Sequence, residues 1–213
     1  MTISNESRSR IKRIFEPIAL AMGRAGLTPD ALTLIGFTIT VVGAVLVGLQ
    51  SWMIGGVVVF VGGVFDMFDG TLARATGQVS KLGAFMDSTF DKLGEIIVFL
   101  GVIAGLQGAG AADVPVLVAA AAMGASIMVS YVRAKSESEG FTPGKGMANV
   151  GLAPREVRIV ILTVGLIVTG ILGGSTGQNA LAFTLGLITV LGSITVLQRV
   201  THVLRQPAPE ENQ

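Results

Sequence analysis

Asp66, Asp69, Asp87, Asp91 and Glu95 interrupt otherwise apolar sequence. Carboxylates inside or at the edge of a bilayer are costly, about a few kcal/mol each, so they call for a function or a partner. Asp66 and Asp69 are spaced i, i+3, and Asp87 and Asp91 are spaced i, i+4. On helices, each pair shares one face. Four carboxylates held close together raise one another's pKa and cannot all stay ionised without compensation. Two divalent cations would provide it, and hard carboxylate oxygens favour Mg²⁺ or Mn²⁺. The chain has no cysteine and one histidine, His202, far from the acids, which argues against zinc. Glu95 has Lys92 as a candidate partner on its own helix.

The residues around the acids suit a phosphate-bearing ligand. Gly70 and Ala73 follow the first pair, and Gly83 and Ala84 precede the second. Small residues there let a ligand or a second backbone come close. Arg74 adds a rigid cationic fork that matches phosphate geometry.

The acids can meet only if the surrounding segments bring them together. Of 213 residues, 51% are hydrophobic and 14% charged, and mean hydropathy is +0.72. That composition excludes an ordinary soluble domain. The net charge of +1 gives no reason to expect a nucleic-acid partner. Six apolar stretches, roughly 30–49, 52–68, 83–107, 114–134, 157–172 and 181–198, approach the ~20 residues needed to cross a bilayer as a helix. The expected fold is therefore all-α, a polytopic bundle of six transmembrane helices. The second and fifth stretches are short, so their ends should protrude or the helices tilt.

Lys and Arg cluster before the first stretch, between the second and third, around the fourth-to-fifth connection and after the sixth. The opposite connections, near 50–51, 108–113 and 173–178, have none. The positive-inside rule then places both termini and the acid cluster on the cytoplasmic side of a multi-pass cell-membrane protein. Residues 1–26 read as a polar leader and an amphipathic helix, with Ile11, Ile14, Phe15, Ile18 and Ala19 on one face and basic groups directed at membrane lipid head groups. No removable signal peptide is evident. Thr28-Pro29-Asp30 is a helix start. Residues 27–205 form the expected transmembrane domain, and the polar tail 206–213 should be disordered. Trp52 reads as an outer-interface anchor and Tyr131 as an inner one. Thr33, one turn into the first stretch, is a candidate either for a ligand contact near the acids or for helix packing. Gly101-x-x-x-Gly105 suits close helix packing or a dimer contact.

Asp66-x-x-Asp69-Gly70-x-x-Ala73-Arg74, eight residues, then Gly83-x-x-x-Asp87-x-x-x-Asp91 resembles the complete signature of the CDP-alcohol phosphatidyltransferases. The six-span layout and amphipathic leader are similar to that family too. The resemblance implies transfer of a phosphatidyl group from a CDP-linked lipid to a polar alcohol, with release of CMP. It implies that Asp66, Asp69, Asp87 and Asp91 hold two metal ions, and that Asp91 is the catalytic base. Asp69, Gly70, Ala73, Arg74 and Gly83 would bind the CDP moiety, and the enzyme would be a homodimer.

The segment from Ser130 to Glu137 is similar to the corresponding part of bacterial phosphatidylinositol-phosphate synthases, as are Arg155-Glu156-Val157-Arg158 and Gln198-Arg199. That likeness implies that Arg133, Lys135, Arg155, Arg158 and Arg199 bind the phosphate of an acceptor such as inositol phosphate. Five cations near one cavity suit a phosphorylated acceptor on charge grounds as well. Two other functions are compatible with these residues: a phosphatidylglycerophosphate synthase using glycerol 3-phosphate, and an ion-coupled transporter. A transporter would place its acids near the bilayer midplane on broken helices, whereas here they cluster at one end.

Overall fold

The computed structural model describes residues 5–141, 147 and 150–206, with side chains from residue 15 onward. The first four residues, the leader side chains through Ile14, Lys145 and the tail from Pro207 lie outside the described residues. Seven helices and no strands are found among those described: α1 Asn5–Arg24, α2 Pro29–Gly48, α3 Trp52–Thr76, α4 Lys81–Gly108, α5 Asp113–Ser138, α6 Arg155–Leu172 and α7 Gly174–Leu204. Successive partners α2–α3–α6–α7–α5–α4–α2 close into a six-helix ring, and α1 packs on the outside of α3.

Local chemistry sets the helix ends that matter for the site. Thr28 caps α2, its Oγ1 accepting the Ala31 N–H, and Pro29 occupies the first turn. Ser80 caps α4 by accepting the Gly83 N–H at 2.9 Å. Between these helices, Gly77 stops α3 at φ +71, a left-handed conformation that favours glycine. The α3–α4 link is therefore short, and it sets the end of one acidic helix beside the start of the other.

Val47, Phe99, Val102, Leu166, Leu181 and Leu185 pack inside the ring. A second cluster joins Ala19 of α1 to Leu32, Phe68 and Leu72, with Phe15 stacked 5.1 Å from Phe68. The outer surface is apolar as well: Leu117 is 66% and Phe183 76% exposed, as expected of side chains facing lipid. Four helices, α2, α3, α5 and α7, are long and apolar enough to cross a membrane. α4 and α6 are not in that group, because α4 carries Asp87, Asp91, Lys92 and Glu95 and α6 opens with Arg155, Glu156 and Arg158.

Several sequence expectations change in detail. The second stretch is not short, since α3 continues past Phe68 to Thr76 and carries Asp69 through Arg74 on regular helix. The expected 173–178 loop is largely helix, with α6 and α7 joined at Gly173. Gly101 and Gly105 pack within the chain: a Cβ would meet the Ala44 carbonyl at 2.3 Å and the Val47 carbonyl at 2.5 Å, respectively. The Trp52 ring covers Gly105, so Trp52 is a packing residue too.

Candidate active site

The α2–α3 contact is built on glycine. Cβ atoms at Gly43, Gly55 and Gly62 would lie within 3.0 Å of the facing backbone. Such close packing fixes the depth of α3 against α2 and lets the Thr33 hydroxyl donate to Asp69 Oδ2. The Gly70 N–H donates to the other oxygen of the same carboxylate. Asp69 is thus buried and oriented by two donors.

Asp66, Asp69 and Asp87 each present a carboxylate oxygen, all within 4.8 Å of one another. Among the described residues, neither Asp69 nor Asp87 has a cationic side chain within ion-pair distance, and Asp66 has only Arg155. Three hard oxygens at this separation suit Mg²⁺ or Mn²⁺ and need a cation to remain charged together. Asp91 adjoins this triad through Asp66, and its Oδ1 lies 2.7 Å from Arg155 Nη2, the arginine that also binds Asp66.

Two open cavities meet at the acids. The first, about 240 Å³, is lined by Asp69, Gly70, Ala73, Arg74, Gly83 and Asp87, together with Pro29, Asp30, Thr33 and the 78–80 link. All five sequence-assigned nucleotide residues therefore face one space. The N-termini of α2 and α4 border it, and the partial positive charge of helix N-termini favours phosphate. A Cβ at Gly83 would crowd Ser80 Oγ at 3.0 Å and Asp30 Oδ1 at 3.4 Å. Neither the Ser80 cap nor its closeness to Pro29 and Asp30 was read from the sequence.

The second cavity, about 610 Å³, lies between α4, α5, α6 and α7. Asp87, Asp91, Tyr131, Arg133, Arg155, Arg158 and Arg199 are part of its wall. Asp87 lines both spaces. Arg155 bridges two acids, with Nη1 2.8 Å from Asp66 Oδ2 and Nη2 on Asp91. Arg133 is half exposed and paired with Glu137 at 3.0 Å. Arg199 is buried and donates to the Val150 and Val129 carbonyls through Nε and Nη1. Arg158 is 2% exposed and binds Glu95 at 2.7 Å. Lys135 lies apart from the cavity wall on an exposed helix end, where its hydrogen bond holds the Glu139 carboxyl below its ordinary range. Glu95 does pair with Lys92, at 2.9 Å, but the Arg158 partner was not visible in sequence.

Fold and site together define a helical membrane protein with a carboxylate centre suited to divalent cations. Residues 26–197 match the model of the CDP-alcohol phosphatidyltransferase family. An archaetidylinositol phosphate synthase of Pyrococcus horikoshii is 35% identical over 91% of this chain and 92% of its own length. A phosphatidylinositol phosphate synthase of Cutibacterium acnes is 36% identical over 91% and 93%, respectively. The crystal structure of the Mycobacterium tuberculosis phosphatidylinositol phosphate synthase with CDP-DAG bound superposes with a TM-score of 0.81 at 30% identity, covering 94% of this chain and 98% of that one. The same protein crystallised with manganese and citrate also gives a TM-score of 0.81 at 30% identity, covering 93% of each chain. The chain belongs to the CDP-alcohol phosphatidyltransferase family and is an enzyme of that kind.

Proposed function

We propose that this enzyme transfers the phosphatidyl group of CDP-diacylglycerol to inositol phosphate and releases CMP. The observation that carries the proposal is the meeting of two cavities at one acid cluster, with Asp87 in the wall of both. The small-residue cavity between the starts of α2 and α4 suits a nucleotide diphosphate. The larger one presents arginines to a phosphorylated polyol. Relatives named for phosphatidylinositol phosphate and archaetidylinositol phosphate favour that acceptor over glycerol 3-phosphate. Family membership leaves no support for a transporter.

The residues divide the work by position. Asp69, oriented by Thr33 and Gly70, and Asp66 and Asp87 would hold two divalent ions, with Asp91 completing the set. The ions neutralise the diphosphate and stabilise the departing CMP. Arg74 and the helix N-termini orient the CDP group, while Gly70, Ala73 and Gly83 leave room for it. Arg133, Arg155 and Arg199 position the acceptor phosphate so that its sugar hydroxyl faces the phosphatidyl phosphorus. The hydroxyl oxygen bonds to phosphorus, the bond from phosphorus to the CMP oxygen breaks, and the hydroxyl proton passes to Asp91. Arg155 aims the Asp91 carboxylate, its Nη2 lying 2.7 Å from Oδ1.

The same proposal has α4 and α6 crossing the bilayer beside the four apolar helices, giving six spans in the cell membrane with α1 on its cytoplasmic surface. All the site helices place their charged ends at one end of the ring, and the basic residues of the connections lie there too, which supports a cytoplasmic site. A homodimer is inferred from the family resemblance, with a seam other than Gly101 and Gly105. The test is CMP release by purified enzyme with CDP-diacylglycerol and competing acceptors. Inositol phosphate should drive release, and preference for glycerol 3-phosphate would reject the acceptor assignment.

A further inference from the structure

Resting on that function, we infer that Glu95, Arg158 and Thr195 are positioning residues that hold the start of α6, and with it Arg155, against the acid cluster. Asp91 and Glu95 lie one turn apart on α4, while Arg155 and Arg158 lie about one turn apart on α6. They form two successive rungs, Asp91 to Arg155 and Glu95 to Arg158, each 2.7 Å. The outer rung belongs to the active site. The inner rung is buried, with side-chain exposures of 9% for Glu95 and 2% for Arg158.

Every nitrogen of the Arg158 guanidinium is committed to protein. Nε and Nη2 donate to Glu95 Oε1, Nη2 also lies 3.5 Å from the Ser126 carbonyl, and Nη1 donates to the Ala153 carbonyl at 2.9 Å. Arg199 differs, since its Nη2 makes none of the bonds to Val150 and Val129. Arg158 therefore spends four of its five N–H donors on backbone and Glu95, and its side chain is 2% exposed.

The segment entering α6 needs such a hold. Its N-cap is Pro154, which makes no side-chain cap bond. Ala153, just before it, is fully buried, with its N–H donated to Thr195 Oγ1 at 3.0 Å and its carbonyl held by Arg158. Thr195 is fully buried on α7, and its own hydroxyl proton goes to the Leu191 carbonyl. Side chains from α6 and α7 thus satisfy both polar backbone groups of Ala153. Through Glu95 the same assembly is tied to α4, the helix of Asp87 and Asp91. Small displacements of a positioned group cost large factors in rate and affinity, so a clasp of this kind acts on Arg155 without touching substrate.

Glu95→Gln separates positioning from direct contact. If Arg158 bound the acceptor, neutralising Glu95 would free it, and the acceptor KM would hold or fall. The clasp instead gives an acceptor KM raised about tenfold, with the CDP-lipid KM changed by less than about twofold. Thr195→Val orphans the Ala153 N–H and should raise the acceptor KM about threefold, and Thr195→Ser should restore it. Thermal melting of each purified variant reports folding separately. Should Glu95→Gln fail to fold, the Val and Ser variants of Thr195 decide the matter. An unchanged acceptor KM in folded Thr195→Val, or equal rises in both KM values, overturns the inference. If wild-type enzyme releases no CMP with inositol phosphate, the function proposal fails, and the same KM comparison on the acceptor that works still tests the clasp.

Discussion

The acid end of α3 and α4 and the basic cavity between α5, α6 and α7 are built in opposite ways. The acids come from two helices joined by a short link, and the triad oxygens lie within 4.8 Å with little protein cation between them. The cations come from three helices far apart in sequence, and the protein already engages each of the five: Arg133 by Glu137, Lys135 by Glu139, Arg155 by Asp66 and Asp91, Arg158 by Glu95, and Arg199 by carbonyls. A group of like charges that protein leaves uncompensated is prepared for an external cation. A group of cations already engaged can be partly structural, and charge alone does not say which members face ligand. In a low-dielectric setting both designs follow from the cost of leaving a charge alone.

The largest expected effect falls on the uncompensated side. Chelating divalent cations should abolish CMP release, and Asp69→Asn should lower it by about 1,000-fold or more. Near-normal turnover in EDTA would remove the metal centre and, with it, the contrast between the two regions. Asp91, at the seam, should behave differently from the triad. Asp91→Asn is expected to reduce kcat about 100-fold while CMP affinity, read by calorimetry, stays close to wild type. Parallel loss of binding and rate would make Asp91 a ligand holder and no base.

The smallest effects sharpen the division within the basic cavity. Arg155→Ala should raise the acceptor KM about tenfold, with a smaller change for the CDP-lipid. Lys135→Ala, at an exposed ion pair off the cavity wall, should change either KM by less than about twofold. Equal responses to the two substitutions would show that the cavity reads net charge and not the placement of individual cations.

Much of the acid site follows from sequence because helical periodicity is local. Residues spaced i, i+3 or i, i+4 share a face whatever else the chain does, and a short link between two helices makes them antiparallel neighbours. Asp66, Asp69 and Asp87 and the small residues beside them were therefore picked out by spacing, whereas the cap at Ser80 emerged only from the structure. The apolar stretches were equally visible, since a bilayer demands a minimum length of uncharged helix. Tertiary structure decided the partners. Whether a given arginine meets a ligand, a carboxylate or a carbonyl depends on which helices the ring makes adjacent, and no local pattern records that for Arg158 and Glu95 or for Arg199 and Val129. The same holds for Gly101 and Gly105, whose spacing promised a close approach but could not say that α2 would be the partner. Local sequence sets which face a side chain occupies, and only packing sets what that face meets.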